Sequence, residues 1–131
     1  MAEPQNVIEL SGVEKSFGRQ KVLAGVDLAV REGDTLVIVG ASGQGKSVVL
    51  RHMLGLVRPD AGRVSVFGRD LAAMGSAELK KVREQFGVLF QNAALLDSLT
   101  IFDNVALPLR ERTARSEEEI RGIVRDRLSM V

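Results

Sequence analysis

The sequence of 131 residues contains no cysteine, tryptophan or tyrosine, and it has only five phenylalanines and three prolines. Without cysteine it cannot form a disulfide scaffold, a thiolate metal site or a cysteine nucleophile. The 18 basic side chains nearly balance the 17 acidic ones. The resulting net charge of +1 gives no general attraction for nucleic acid or anionic lipid, so we expect no nucleic-acid partner.

Long hydrophobic runs are also absent. The most apolar stretch, residues 35–41, is far shorter than the roughly 20 residues that span a bilayer. Residues 1–6 lack the basic start and the apolar centre of a signal peptide. Hydrophobic residues make up 45% of the chain, which is enough for a packed core. We therefore expect a soluble, intracellular chain of one domain, or one piece of a larger domain.

The hydrophobic pattern predicts strands and helices in alternation. Strands are predicted over residues 7–13, 26–30, 35–39, 63–67 and 86–90. The run 35–39 is almost continuously apolar, which is typical of a strand covered on both faces. Helical spacing follows over residues 46–56, and further helices are predicted to start at Ser76, Thr100 and Ser116. This order favours an α/β fold.

Two details of the predicted helices concern their ends and their buried faces. We expect Pro108 to end the helix that starts at Thr100, because proline lacks the backbone donor that a helix interior uses. We expect Met130 to lie in a packed position and the last helix to bury Ile120, Ile123, Val124, Leu128 and Val131.

A glycine-rich segment between a predicted strand and a predicted helix is the strongest functional signal. Residues 40–47 read GASGQGKS and match the pattern G-x-x-x-x-G-K-[ST]. Glycines let successive N–H groups turn toward phosphate oxygens, and the helix start adds partial positive charge. The Lys46 ammonium can reach the β- and γ-phosphates, and the Ser47 hydroxyl can ligate Mg²⁺. The predicted nucleotide-binding residues are Gly40, Ala41, Ser42, Gly43, Gln44, Gly45, Lys46, Ser47 and Val48.

Three other residues carry a functional interpretation and an ordinary one. Phe17 lies beside Gly18 in a polar loop, where its ring can stack on a base or pack at the edge of the core. Gln91 ends a predicted strand, and its carbonyl oxygen can face a metal ion, although such a glutamine is more often a surface residue. His52, the sole histidine, has no partner for metal binding or acid–base chemistry and is assigned to helix packing or solvent.

Together these motifs resemble the ATP-binding subunit of ABC transporters over nearly the whole chain. Residues 40–47 look like the family's G-x-S-G-x-G-K-S loop, and residues 15–18 look like its adenine-stacking loop. Residues 59–64 resemble the turn into the family's antiparallel β-subdomain, and Phe90 with Gln91 looks like its Q-loop.

The resemblance implies a fold, a division of the chain and a set of ligands. It implies an α/β P-loop NTPase core with an antiparallel β-subdomain over about residues 7–91. The start of a helical subdomain follows over about residues 92–131, so that residues 1–131 form a partial, truncated ATP-binding domain. The expected cofactors are ATP and Mg²⁺, with Phe17 and Val22 at the base and Ser47 and Gln91 at the metal.

The resemblance also implies partners and a place in the cell. The expected partners are a second ATP-binding subunit and a transmembrane permease, which would hold the protein at the cytoplasmic face of the inner membrane. Residues 91–110 are expected to face the permease's coupling helix. Residues 88–111 are similar to Mce/Mla-type phospholipid transport ATPases, which predicts a phospholipid or related hydrophobic substrate. Relatives that move amino acids or lipoproteins share parts of this segment and remain alternatives.

The sequence departs from the family pattern in two respects. Val48 stands where the family usually has threonine, which removes a hydroxyl near the α-phosphate but is expected to leave the Val48 N–H available. The L-S-G-G-Q signature, the Walker B aspartate, the adjacent catalytic glutamate and the switch histidine are absent. We therefore expect no catalytic residue in this chain beyond assistance from Lys46 and Gln91, weak ATP binding and negligible hydrolysis.

Two alternatives remain open from the sequence. One is another P-loop enzyme, such as a kinase or a GTPase, although the sequence lacks the base-reading N-K-x-D of a GTPase. The other is a non-catalytic nucleotide-binding or interaction module.

Overall fold

A computed structural model describes residues 5–91 and 94–131. They cluster into two compact units, Met1–Gly87 and Val88–Val131. Most of the segment on which the signal-peptide prediction rests, residues 1–4, lies outside the described residues, as do residues 92–93 of the predicted permease-facing segment. In the described ranges, every helix is too short or too polar to cross a bilayer.

The first unit contains one antiparallel sheet in the order β2-β1-β3-β4. Its strands are β1 (Asn6–Phe17), β2 (Gln20–Arg31), β3 (Ala61–Val66) and β4 (Arg69–Asp70). The strands β1 and β2 form a hairpin in which Phe17 pairs with Gln20, and β1 also pairs with β3. β1 and β2 extend well beyond the predicted strands 7–13 and 26–30, because each supplies the other with backbone hydrogen bonds along its length.

Three helical segments complete the first unit: α1 (Lys46–Met53), a 3₁₀ turn (Leu71–Ala73) and α2 (Ser76–Arg83). α2 begins at Ser76 as predicted, but the capping position before it is occupied by Gly75 and not by Ser76. The carboxylate of Glu78 accepts a hydrogen bond from the Gly75 N–H at 3.2 Å and satisfies that helix end. The sheet and the helical segments share one core of buried residues: Leu10, Val13, Leu23, Val49, Met53, Val64, Val66, Leu71, Met74 and Val82.

Two of the predicted strands do not form in the part of the chain that the structure describes. Residues 35–39 and 86–90 carry no strand, and their apolar side chains are largely exposed, with 84% exposure at Val39 and 91% at Leu89. A strand needs neighbouring backbone to satisfy its N–H and C=O groups. No segment among residues 5–91 and 94–131 pairs with either run, so apolar composition alone does not produce a ladder.

The second unit contains two helices, α3 (Ile101–Arg112) and α4 (Glu117–Leu128). Both predicted starts are confirmed. The Thr100 hydroxyl accepts from the Asp103 N–H at 3.0 Å, and Ser116 and Glu119 form a reciprocal capping box. The two helices pack around a small core of Ala106, Ile120 and Val124.

Two expectations for this unit are wrong. Pro108 lies inside α3 rather than at its end. The helix continues because Leu109 packs on the core of this unit and Arg110 bonds to Asp103 and Glu117, which offsets the one donor that proline lacks. Met130 and Val131 are exposed, because α4 ends at Leu128.

Candidate phosphate-binding site

The glycine-rich loop over residues 40–47 leads directly into α1, as the sequence predicts. Gly45 precedes the helix with φ of +84°, a left-handed conformation that side chains rarely adopt. A Cβ at Gly45 would lie 3.1 Å from Leu23 Cδ2 and Val22 Cγ1 and 3.2 Å from the Val22 carbonyl oxygen. Glycine at this position therefore lets the loop lie directly against β2.

The loop carries a series of N–H groups without acceptors. The Gln44 N–H donates to the Ala41 carbonyl at 3.4 Å. Among residues 5–91 and 94–131, no backbone or side-chain acceptor meets the N–H groups of Ser42, Gly43, Gly45, Lys46 and Ser47. No acidic residue lies in the first turn of α1. Such donors at a helix start bind anions, because the helix dipole adds partial positive charge at the same end.

Lys46 closes the loop with its side chain. Its Nζ donates to the carbonyl oxygens of Gly40 and Ala41, both at 2.7 Å. Neutral carbonyls leave the positive charge uncompensated, and no carboxylate in the described part of the chain pairs with Lys46. A phosphate oxygen near the loop would be a stronger partner for this ammonium than a carbonyl.

Ser47 and Val48 differ in what they offer to a ligand. Ser47 is exposed in the first turn of α1, so its hydroxyl is available. The Val48 N–H, which we expected to be available, donates to the Gly45 carbonyl at 2.9 Å. The Val48 side chain packs against the core. Of these two residues, Ser47 is the one placed to meet a ligand.

Phe17 lies at the end of β1 and is 47% exposed, so its ring is not tucked into the core. The Lys15 ammonium lies 5.6 Å from the ring centroid, within the range of a cation–π contact. The Asp60 carboxylate accepts from Lys15 Nζ and from the Ser16 N–H, both at 2.7 Å. Asp60 thereby fixes the strand end that carries the ring.

The same contacts have an electrostatic effect on Asp60. The Lys15 ammonium, with the Ser16 N–H, holds the pKa of the Asp60 carboxyl below its ordinary value. The pairing therefore persists at neutral pH. Nothing in the local sequence singles out Asp60, because its partners are about 45 residues away along the chain.

Val22 lies close both to the strand partner of Phe17 and to the phosphate loop. Phe17 pairs with Gln20 across the hairpin, and Val22 is two residues further along β2. A strand rises about 3.3 Å per residue, so Val22 lies one short step from the hairpin end. The close approach of Gly45 to Val22 therefore brings the phosphate loop to β2, the strand whose start pairs with the Phe17 end of β1.

Gln91 belongs to the second unit and is exposed in a turn rather than at a strand end. Its role at a metal ion stays a prediction. No cluster of three or more histidine, aspartate or glutamate side chains able to hold a metal ion occurs within residues 5–91 and 94–131.

Arg110 is an ion-pair partner in the second unit rather than a free surface charge. Its guanidinium donates to Asp103 Oδ1 at 2.9 Å and to Glu117 Oε1 at 2.8 Å, which joins α3 to α4. The guanidinium holds the pKa of the Glu117 carboxyl below its ordinary value. The two carboxylate partners lie seven residues before and seven residues after Arg110 in the sequence.

Several known proteins similar to this chain are named as ATP-binding proteins of transport systems. The chain is 44% identical over 124 residues to the probable ribonucleotide transport ATP-binding protein mkl of Mycobacterium tuberculosis, covering 95% of this chain and 34% of that protein. It is 40% identical over 126 residues to the chloroplastic protein trigalactosyldiacylglycerol 3 of Arabidopsis thaliana, covering 95% and 36%. The chain thus spans about a third of the length of these curated relatives.

A solved structure shows the same fold. A dimeric ATP-binding cassette in a post-hydrolysis state, bound to ADP and Pi, is 34% identical to this chain, with a TM-score of 0.81. The likeness covers 94% of this chain and 56% of the cassette, and it confirms the predicted α/β class. The profile of the ABC transporter family matches residues 23–129. The chain belongs to the ABC transporter family.

Proposed function

We propose that this chain binds ATP through residues 40–47 and serves as part of the ATP-binding, energy-coupling subunit of an ABC transporter. The observation that carries the proposal is the set of unpaired N–H groups at the start of α1, together with the uncompensated Lys46 ammonium. The ammonium would move from the carbonyls of Gly40 and Ala41 to the phosphate oxygens. Membership of the family weighs against a kinase or a GTPase.

Phe17 would be the stacking surface for adenine. The Lys15 ammonium lies over the ring and is held by Asp60, so the opposite face of Phe17 is the one left for a base. Val22, which lies beside Gly45 and two residues after the strand partner of Phe17, would pack against the nucleoside. Mg²⁺ would neutralise charge on the phosphates, with Ser47 as the protein ligand in the loop and Gln91 as a second candidate.

Catalysis of phosphoryl transfer depends on positioning and on electrostatic stabilisation of the transferred group. The residues of this chain would supply the binding part: N–H donors, the Lys46 ammonium and the Ser47 hydroxyl. The sequence contains no L-S-G-G-Q signature and no Walker B aspartate. We therefore expect this chain alone to bind ATP weakly and to hydrolyse it negligibly, which leaves a non-catalytic nucleotide-binding module as the second candidate.

For the transported substrate we propose a phospholipid or a related hydrophobic molecule. The proposal is supported by the similarity of residues 88–111 to the Mce/Mla-type ATPases. It is also supported by the Arabidopsis relative, whose name includes that of a glycolipid, trigalactosyldiacylglycerol. The name of the mycobacterial relative instead specifies ribonucleotide transport, which makes a ribonucleotide the second candidate. A dimer with a second ATP-binding subunit is proposed from the dimeric cassette that the chain resembles.

The proposed permease contact is the loop before α3. The Asn104 side chain accepts from the Leu96 N–H and donates to the carbonyls of Leu96, Leu99 and Thr100 at 3.0–3.2 Å, which holds this loop in one shape. Leu95 and Ile101 are 62% and 72% exposed around it. Contact with the permease would place the protein at the cytoplasmic face of the inner membrane.

The permease contact is tested by co-purification of the subunit with the permease from membranes. Leu95→Glu should lower the recovered complex, because a charge would enter an apolar contact. Ser98→Glu adds the same charge in the same exposed loop and serves as the control. Equal recovery with both variants would contradict the assignment. Charge reversal at Arg110 is unsuitable, because it would also break the pairs with Asp103 and Glu117.

ATP binding is tested by calorimetric titration of the protein with Mg·ATP. Lys46→Met should weaken binding by roughly 10- to 150-fold, the range for a lost hydrogen bond to a charged group. Lys80→Met removes the same charge from an exposed position on α2 and should leave the affinity unchanged. Equal affinity of the Lys46 variant and the wild type would refute the proposal.

A further inference from the structure

The Phe17 ring shares one face of the sheet with the side chain of Lys15, because the two residues are two positions apart on β1. Lys15 pairs across the hairpin with Leu23, which is buried. Side chains of directly opposite residues lie on the same face, and Leu23 Cδ2 lies 3.1 Å from the position of a Cβ at Gly45. The ring and the Lys15 side chain therefore lie on the face of the sheet against which the phosphate loop packs.

A bulge in β2 brings two side chains to that loop. The pairing of β1 with β2 shifts by one residue between Lys15 and Ser16, and Val22 has no partner on β1 in this register. In an unbroken strand Val22 and Leu23 would point to opposite faces, yet Val22 Cγ1 and Leu23 Cδ2 both lie 3.1 Å from the Cβ position of Gly45. Bulges are common beside binding sites, where they redirect a side chain. This bulge directs Val22 toward the phosphate loop at the hairpin end that carries the aromatic ring.

Lys15 is held at the ring by Asp60. Its Nζ lies 5.6 Å from the centroid of the Phe17 ring and donates to Asp60 Oδ1 at 2.7 Å. The Lys15 side chain is only 17% exposed, so the ammonium has little freedom to leave the ring. Asp60 Oδ2 accepts from the Ser16 N–H at 2.7 Å, and the Asp60 N–H donates to the Glu14 carbonyl at 2.9 Å. Asp60 is thus bound to β1 on both sides of Lys15.

The ion pair has a consequence for a ligand that stacks on the ring. Exposed ion pairs add little to the stability of a fold. This pair immobilises an aromatic ring that is itself half exposed. A mobile ring would lose its freedom when a base stacks on it, which weakens binding, whereas a ring already held in place loses little. The ammonium also covers one face of the ring, so a base meets the opposite face.

We propose that Lys15 and Asp60 are positioning residues for the base of the nucleotide. Lys15 holds the Phe17 ring as a one-sided stacking surface, and Asp60 acts by holding Lys15. The inference rests on the proposed function, because it requires ATP phosphates at residues 40–47 and adenine on Phe17. Neither positioning residue belongs to the phosphate loop, so the pair changes the affinity for the nucleoside and leaves the affinity for the phosphates.

The test compares Mg·ATP with magnesium tripolyphosphate in amide NMR titrations of the full chain at pH 7. Tripolyphosphate carries the phosphates without the base, so it reports on residues 40–47 alone. Lys15→Met should weaken ATP binding by roughly 2- to 10-fold, the effect of ordering one side chain on binding, and leave the tripolyphosphate affinity unchanged. Lys15→Arg keeps a cation for the ring and should restore the ATP affinity. An equal loss for both ligands would overturn the proposal.

Two isosteric variants test whether Asp60 acts through Lys15. Asp60→Asn should weaken ATP binding selectively, and adding it to Lys15→Met should cause no further loss. Glu78→Gln is the matched control, because Glu78 also pairs with a cation, Arg69, and accepts from a backbone N–H, that of Gly75. The control should leave both affinities unchanged. A loss of ATP affinity as large as that of Asp60→Asn would show that breaking any such pair has this effect, and would overturn the proposal.

A Phe17→Ala background separates positioning of the ring from every other role of Lys15. Without the ring, Lys15→Met should no longer change the ATP affinity, and a loss of the same size would show that Lys15 acts elsewhere. If the wild type binds both ligands and Lys15→Met changes neither affinity, the positioning role is refuted and the proposed function stands. If the wild type binds neither ligand, the phosphate site is refuted and this proposal with it.

Discussion

Gly45→Ala is the substitution whose effect follows most directly from the geometry of the phosphate loop. The new Cβ would lie 3.1 Å from Val22 Cγ1 and from Leu23 Cδ2, closer than ordinary van der Waals contact. Crowding of this kind costs about 1–3 kcal/mol. The φ of +84° at Gly45 adds about 1–2 kcal/mol for a left-handed residue with a side chain.

The expected loss in free energy of unfolding is therefore roughly 2–5 kcal/mol. Gly43→Ala provides the matched control, because Gly43 has φ of +81° but no atom within 4 Å of an added Cβ. It should cost only the backbone part, about 1–2 kcal/mol. Urea unfolding of both variants and the wild type gives the two values, provided that the m-values agree. Equal losses for the two variants would refute the close approach of the loop to β2.

Two further predictions concern side chains that hold loops. The lowered pKa of Asp60 means that its contribution to stability is present above its ordinary value of 3.8 and is lost as the pH falls through the folded-state pKa. Asp60→Asn should therefore lower the urea midpoint at pH 7. The difference in midpoint between the variant and the wild type should shrink below pH 3.8. A midpoint difference that stays constant with pH would contradict the pairing with Lys15. Asn104→Ala should lower the hydrogen-exchange protection of the Leu96 amide by about 10-fold, the effect of one lost hydrogen bond. Asn104→Asp keeps an acceptor for that amide and is the control; equal protection in all three proteins would contradict the anchoring.

Local signals predicted the parts of the fold that depend on neighbouring residues. The pattern GASGQGKS places the phosphate loop before α1, and the hydroxyls of Thr100 and Ser116 cap the helices that they were predicted to start. In these cases the hydrogen-bonding groups that pair with each other lie within a few residues in the sequence. The pattern of such residues is therefore sufficient to predict the local structure.

Features that depend on distant partners were not predicted in the same way. Residues 35–39 read as a buried strand, yet they remain outside any strand because no described segment pairs with them. Asp60 reads as a turn residue, but in the structure it fixes the end of β1 through Lys15 and Ser16. Pro108 reads as a helix end, but tertiary packing of Leu109 carries α3 past it. Each outcome was decided by the presence or the absence of a contact with residues distant in the sequence.

The central claim is that the Lys46 ammonium and the unpaired N–H groups of Ser42, Gly43, Gly45, Lys46 and Ser47 hold the phosphates of a nucleotide. Amide NMR of the protein during titration with Mg·ATP tests this claim most directly. The account predicts saturable shifts at the amides of Gly43, Gly45 and Lys46, absent in Lys46→Met at the same ATP concentration and preserved in Lys80→Met. Saturable shifts confined to other amides, or none at millimolar ATP, would contradict it.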